Sequence, residues 1–468
     1  MMGRSRIVGF AISAALLIGA SNQSAVRIAP EAPIIVGETP GIVVSGLNPG
    51  QPARVHGFGA YQRWEKNAAG QWAPVVAVYH SWADVLPDAT GRVDMDRADV
   101  ASGTYHGIDG YGLLWSMRKP TDPILADAGP ATIPASVPLG TTRIIVSQLG
   151  QVVGDALLRY REAPGLTVEP VADGALNGIF AAPKGKTRLP TIILLHGSEG
   201  GGVATARALA TQFAGQGYAA FALNYFAWDF EGLKGVPNIH VNQPIELIDR
   251  VRGWLSQRAE VDPHRIGLYG HSKGAEYAEV AAVRYPWVKA VIACVGTDVV
   301  WEGYGIGDER AALPKDFIKP REIASWSWRG KPLPYVRLQP WRGGIWFDNT
   351  ARYEAGRVAD PEAASAAAIP IERSHARWLL IGSLRDEIWA SGAMSQRLAD
   401  RLRRAGKGDR VSLLVHDRAG HQVCGSGLNP SYVWADPSTD PRVKDPGAEG
   451  SAAVQSWQAM KAFLARAL

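Results

Sequence analysis

Short strand-like runs broken by turns fill the chain from Ile34 to about Arg161, and longer apolar runs alternating with helical spacing fill most of the remainder. In the first part, Gly41 to Leu47, Ala53 to Tyr61, Trp72 to Trp82 and Thr142 to Leu149 read as strands separated by NPG, NAAG and PDATG turns. Ala156, Leu158 and Tyr160 then alternate with Asp155, Leu157, Arg159 and Arg161, as a strand with one buried face does. This spacing predicts an all-β, immunoglobulin-like antiparallel sandwich over 28–164.

The period changes after Pro164. Gly178 to Ala182, Thr191 to Leu195 and Tyr218 to Leu223 are apolar runs, and a helical stretch ending at Gly217 lies between the last two. A helix is predicted from Pro244 to Arg258, with Ile245, Ile248, Val251 and Leu255 on one face. Further strands follow at Ile266 to Tyr269, Val288 to Val295, Arg377 to Ile381 and Arg410 to His416. An amphipathic helix carrying Ala453, Trp457, Met460 and Leu464 closes the chain. Strand and helix alternating in this way build a mostly parallel sheet with helices on both faces, here over 165–468. The pattern lapses between about 298 and 374, a stretch rich in Trp, Pro, Gly and Arg that reads as a cap inserted between strands.

Composition adds an address more than a fold. At 468 residues, two or three domains are expected, and 46% hydrophobic with 20% charged residues is globular. The net charge of +5 is scattered, which excludes a nucleic-acid stripe. Residues 1–24 open with Arg4 and Arg6, then an apolar run from Ile7 to Ala20 and small residues suited to cleavage. They read as a secretory signal peptide, with an uncleaved anchor as the alternative. No later segment is apolar enough to cross a bilayer, so export without stable membrane insertion is expected. The two cysteines, Cys294 and Cys424, could bridge after export, but sequence cannot set their separation. Nothing in the pattern indicates an oligomeric state.

The chemistry concentrates at Gly270-His271-Ser272-Lys273-Gly274. An apolar strand precedes these residues, and a helical run with Ala275, Ala278, Ala281 and Ala282 follows them. A serine between glycines at a strand-to-helix turn is a nucleophile elbow, the mark of the α/β hydrolase fold. Such a serine needs a base, and the base an acid, in the chain order acid then histidine. Asp386, in GSLRDEIW, and His421, in DRAGHQV, each follow a strand; Glu387 and Asp298 are alternative acids and His416 an alternative base. The backbone N–H of Lys273 and that of Ser198 or Glu199, after His196-Gly197, are candidate oxyanion donors. His271 could line the pocket.

Trp301, Trp326, Trp328, Trp341 and Trp346 populate the cap. So do Lys315, Lys319, Arg321, Arg329, Lys331, Arg337 and Arg342, against Asp316 and Glu322. Trp326, Trp328, Arg329 and Arg337 are thus candidate substrate contacts for an anionic group. No G-K-[ST], G-x-G-x-x-G, H-E-x-x-H or Cys/His cluster is present, so no nucleotide, metal or other cofactor is expected.

Several stretches resemble the acyl-CoA thioester hydrolase and bile acid-CoA:amino acid N-acyltransferase family. GHSKGAE (270–276) is similar to its elbow, SWADVLPDATGRVDM (81–95) and GTYHGIDGYGLLWSM (103–117) to its N-terminal module, and LNYF (223–226) with VPNIHVNQPIELI (236–248) to the segment before the elbow. The resemblance implies a Ser272, Asp386, His421 triad acting on a small-molecule acyl thioester or ester. The family's transferases use cysteine as nucleophile, so a serine implies hydrolysis. Competing readings are a carboxylesterase or peptide-bond hydrolase of the same fold, and a non-enzymatic binding protein.

Overall fold

The computed structural model describes residues 25–66, 72–129, 134, 136–228, 231–304, 323–338, 350–425 and 446–468. The expected leader (1–24) lies outside them, as do Lys315, Asp316, Lys319, Arg321, Glu322, Trp341, Arg342 and Trp346 of the expected cap.

The N-terminal part is built on strands. Arg27–Ala29, Val43–Ser45 and Val93–Asp94 form a three-stranded sheet. A six-stranded sheet runs in the order Ile34–Ile35, Gln151–Arg161, Thr141–Gln148, Ala53–Lys66, Trp72–Val85 and Ser102–Gly103. Alternation puts Val44, Val55, Ala83, Ile144, Val146 and Leu158 into one buried cluster. The GLLWSM segment forms a short helix, Gly112–Trp115, whose four residues are all buried.

The remainder is organised on one eight-stranded sheet: β1 (Leu166–Asp173), β2 (Leu176–Pro183), β3 (Leu189–Leu195), β4 (Ala219–Leu223), β5 (Val261–His271), β6 (Val288–Cys294), β7 (Arg377–Ser383) and β8 (Val411–His416). Their spatial order is β1-β2-β4-β3-β5-β6-β7-β8, antiparallel at the β1 end and parallel from β4 onward. Both faces are covered, which is why the central strands are apolar throughout.

On one face lie α1 (Val203–Gly215) and α7 (Pro446–Ala467), packing Phe213, Trp457 and Met460 onto Ile192, Leu194 and Ile292. On the other lie α2 (Glu246–Leu255), α3 (Lys273–Arg284) and α6 (Ser391–Arg404), which bury Ile248, Ala278 and Leu398 with Phe221, Leu268 and Trp378. This sheet order with the elbow after β5 is the α/β hydrolase fold.

The inserted stretch corrects the expected cap in part. Its described residues are stitched into the body rather than laid over it. Trp326–Trp328 pairs with Gln243–Pro244 and Lys331–Pro332, and Trp301 bridges to Val336. Trp301 and Trp326 are fully buried in the same cluster as the α3 face. The helices α4 (Thr350–Ala359) and α5 (Pro361–Ala366) follow, and Arg357 of α4 is anchored on Asp298 at 2.6 Å.

Candidate active site

Ser272 stands between the end of β5 and the start of α3 with φ 55° and ψ −119°. A non-glycine residue held there is strained, and its neighbours explain how the strain is sustained. Its N–H donates to the Cys294 carbonyl at 2.9 Å, and its own carbonyl accepts from Ala275 N–H at 2.9 Å and Glu276 N–H at 3.2 Å. The flanking glycines are required by close backbone approach. A Cβ on Gly270 would lie 2.0 Å from the Gly274 carbonyl oxygen, and one on Gly274 would lie 2.2 Å from that of Leu195 and 2.4 Å from that of His196. The loop after β3 therefore rests directly against the start of α3.

That contact brings the expected oxyanion donors to the serine. A Cβ on Gly197 would stand 3.1 Å from the Ser272 Cβ. Gly197 N–H donates to the Glu199 carboxylate at 2.8 Å, and among the described residues the N–H groups of Ser198 and Glu199 have no hydrogen-bond partner. Lys273 N–H is the first of α3, where helical geometry supplies no acceptor. The Lys273 side chain turns the other way. It is buried, donating to Glu276 Oε2 at 2.7 Å and Ser325 Oγ at 2.7 Å.

Asp386 and His421 come from the loops after β7 and β8. The Asp386 carboxylate accepts from Ile388 N–H at 2.9 Å and Trp389 N–H at 3.2 Å, so the turn itself orients it. Nδ1 of His421 lies 2.8 Å from one Asp386 oxygen and 2.9 Å from the other. Burial pulls the imidazole pKa down, but the Asp386 charge and hydrogen bond outweigh it and leave the pKa above the ordinary histidine value. His271 sits edge-on to His421 with ring centroids 5.3 Å apart. Burial, and then the nearby His421, push its pKa down to about 4, so it stays neutral. Among the described residues the Ser272 hydroxyl makes no hydrogen bond to His421; such contacts often tighten only when substrate is bound.

The alternatives take structural positions. Asp298 is clamped by Arg357 and Arg397, each at 2.6 Å. His416 Nε2 meets Ser456 Oγ at 2.9 Å. Glu387 accepts the His421 backbone N–H at 3.1 Å.

Four expected substrate contacts are engaged elsewhere. Trp326 is fully buried, its Nε1–H donating to Glu276 at 2.8 Å and its ring stacked on Tyr277 at 4.3 Å. Trp328 packs on Tyr285 and Arg284, and Arg329 lies over the Trp328 ring. Both stand at the far end of the 12-residue α3, roughly 18 Å from Ser272 along the helix. Arg337 is largely exposed, 4.0 Å from Glu302.

Sequence reasoning missed the buried polar set behind the elbow. Glu276 accepts from Lys273, Trp301 N–H and Trp326, while Glu279 accepts Thr297 N–H at 3.3 Å. Its signal was available: Glu276 and Glu279 stand among the alanines of an alanine-rich helix whose run from Gly274 to Ala282 is buried. Burial raises the pKa of both. A disulfide joins Cys294 to Cys424. No group of three potential metal ligands occurs among the described residues.

Comparison with known proteins fits this geometry. The profile for the C-terminal part of BAAT and acyl-CoA thioester hydrolases matches residues 245–468, and that for the N-terminal region matches 38–126. The dienelactone hydrolase profile matches 176–302. Mouse mitochondrial acyl-coenzyme A thioesterase 2 is 26% identical over 462 residues, 96% of this chain and 90% of its own. Human acyl-coenzyme A thioesterase 1 is 24% identical over 442 residues, 90% of this chain and 91% of its own.

Among solved structures, carboxyl esterase 2 of the fungus Tuber melanosporum aligns with a TM-score of 0.39 at 16% identity, covering 65% of this chain and 87% of that one. A puromycin-hydrolysing peptidase of Mycobacterium tuberculosis gives 0.41 at 15%, covering 87% and 53%. The fold rests on the sheet order and the family profiles, not on these two structural likenesses. With the family's N-terminal and C-terminal models matched in order along one chain, over 38–126 and 245–468, the protein belongs to the acyl-CoA thioester hydrolase/BAAT family.

Proposed function

We propose that this hydrolase cleaves acyl thioesters through a Ser272, His421, Asp386 triad and a covalent acyl-enzyme. The observation that carries the reading is the His421 Nδ1 contact to both Asp386 oxygens, on loops flanking a serine held at a strained elbow. Asp386 fixes the imidazole with its proton on Nδ1, leaving Nε2 to take the Ser272 hydroxyl proton. The freed oxygen attacks the acyl carbonyl, and the negative charge that forms on the carbonyl oxygen is received by Lys273 N–H and by Ser198 or Glu199 N–H. Collapse breaks the C–S bond, and the leaving thiolate takes the proton from His421. Water, deprotonated by the same imidazole, then releases the carboxylic acid and restores Ser272.

The thioester reading draws on the relatives named as acyl-coenzyme A thioesterases. A carboxylesterase reading uses the same residues. If residues 1–24 direct export, the thiol carried by the natural substrate need not be coenzyme A. The N-terminal sheets, which we infer to be an immunoglobulin-like sandwich, brace the hydrolase half. Trp457 of α7 donates to the Gly37 carbonyl at 2.8 Å.

The test sets acyl-CoA thioesters against matched oxygen esters and peptide amides. The expected result is thioester cleavage at the highest kcat/KM, lost by at least about 1000-fold in Ser272→Ala together with fluorophosphonate labelling. Ester rates equal to or above thioester rates would remove the thioester reading. Labelling that survives Ser272→Ala would remove the triad.

A further inference from the structure

We propose that Glu449, carried on α7 and backed by Trp115 of the N-terminal module, is a positioning residue that fixes the Gly420-His421 turn. The proposal rests on the triad reading above and names a residue that acts through His421, not on substrate.

Gly420 is pinned between two carboxylates. A Cβ placed on it would lie 2.2 Å from Glu449 Oε1 and 2.5 Å from Glu387 Oε2, so those two oxygens are no farther apart than the sum of these distances. Both carboxyls bear on the turn: Glu387 accepts His421 N–H at 3.1 Å, and Glu449 stands against Gly420, whose N–H favours its charged form. The turn is thereby held on both sides immediately beside the imidazole, while Asp386 holds its Nδ1.

Glu449 is itself held from behind. Gly450 lies so close to Trp115 that a Cβ on it would come within 2.6 Å of the indole ring, and Trp115 is fixed by donating to Asp109 at 2.9 Å. The chain of contact runs from the GLLWSM helix to Gly450, Glu449, Gly420 and His421.

Two carboxylates this close cannot both be charged at low cost. The groups facing Glu449 are Glu387, Asp386 and His421. Burial first, and then the Glu387 and Asp386 charges, raise its pKa to about 8 against the opposing pull of His421 and Gly420 N–H. At neutral pH Glu449 is therefore an uncharged acid, free to accept from Gly420 with its carbonyl oxygen. A glutamine reproduces that shape and that acceptor; an alanine removes it.

The experiment compares wild type, Glu449→Ala and Glu449→Gln by kcat and KM, and follows the His421 imidazole titration by NMR, assigned with His421→Gln. We expect Ala to lower kcat by about tenfold or more with KM within about twofold, because a small misplacement of the base affects the chemical step most. Gln should restore kcat to within about threefold at pH 7, return the His421 titration to that of the wild type below about pH 7, and abolish the further wild-type change in that titration near pH 8.

An Ala variant with unaltered kcat and His421 titration overturns the proposal, as does a Gln variant as impaired as Ala. If wild type hydrolyses no thioester or ester, the functional reading fails on its own, and the NMR titrations still decide the role of Glu449.

Discussion

The Cys294–Cys424 bond offers the most quantitative check on how the two ends of the site are held. Cys294 ends β6 and its carbonyl receives Ser272 N–H, while Cys424 follows His421 by three residues. The bond thus ties the strand that steadies Ser272 to the loop that carries His421. It closes a span of 130 residues. In the chain-entropy description the denatured state loses about 2.1 cal/mol/K plus 1.5R ln n, which for this span is about 5 kcal/mol at 25 °C.

Measured effects for native bridges often run nearer 2–4 kcal/mol, so a loss of about 3–5 kcal/mol is expected on breaking this one. The perturbation is reduction of the wild type beside a Cys294→Ala, Cys424→Ala double variant. Reduction leaves both sulfurs in place, Cys294 in the core and Cys424 half-buried against it, whereas the double variant adds a small cavity worth about 1 kcal/mol. Urea unfolding followed by tryptophan fluorescence reads both, with the slope m checked because a two-part protein can unfold in stages. If reduced and oxidised protein unfold within about 1 kcal/mol of each other, the bond does not constrain this loop and the argument fails.

Three further outcomes are expected. Gly274→Ala should lower kcat by about 100-fold or more and cost about 1–3 kcal/mol in stability, because its Cβ would meet the Leu195 carbonyl at 2.2 Å and displace the oxyanion loop; near-wild-type kinetics would show that the loop can yield. The acid limb of kcat/KM should lie above the ordinary histidine pKa, because Asp386 raises that of His421 and a general base works only when neutral, so activity falls as pH drops through it. Asp386→Asn should move the limb down and lower kcat by about 10⁴-fold, and an unmoved limb would reassign the acid. Lys273→Met or Glu276→Gln alone should destabilise by about 3–5 kcal/mol in thermal or urea unfolding and the pair together by less, since either single change strands a buried charge or donor; additive losses would show that the two do not act as a pair.

The parallel sheet was legible because strands buried on both faces must be apolar throughout, and Thr191 to Leu195 and Tyr218 to Leu223 admit no other exposure. The elbow was legible for a related reason: only glycine tolerates the approaches at 270 and 274. Asp386 and His421 could be picked out because each follows an apolar strand by a few residues, where loops collect at the carboxyl edge. The inserted stretch could not be read this way. A tryptophan in an irregular segment suits a substrate-facing cover and a core equally well, and the deciding partner of Trp326 is Glu276, 50 residues upstream. The same holds for Trp328 and Arg329, whose place at the far end of α3 depends on Tyr285 and Glu246. The helical period of α7 marked its apolar face but carried no sign that Glu449, at its first turn, reaches the turn that carries His421.

One segment that carries the family resemblance holds none of the proposed catalytic groups, and the structure shows how tightly it is packed. GLLWSM is a single buried turn whose Leu113 carbonyl accepts Ser81 Oγ–H at 2.6 Å and whose Trp115 fills the space left by Gly450. Every position there is constrained on several sides, as surface loops around a substrate are not. Constraint of this kind makes a sequence recognisable without making it reactive. Here the two meet one residue apart, since the helix that receives Trp115 at Gly450 presents Glu449 to the turn that carries His421. The N-terminal module is thus joined by contact to the turn that carries His421, and under the proposed mechanism its contribution to hydrolysis should be sought in the placing of an imidazole and not in the binding of an acyl group.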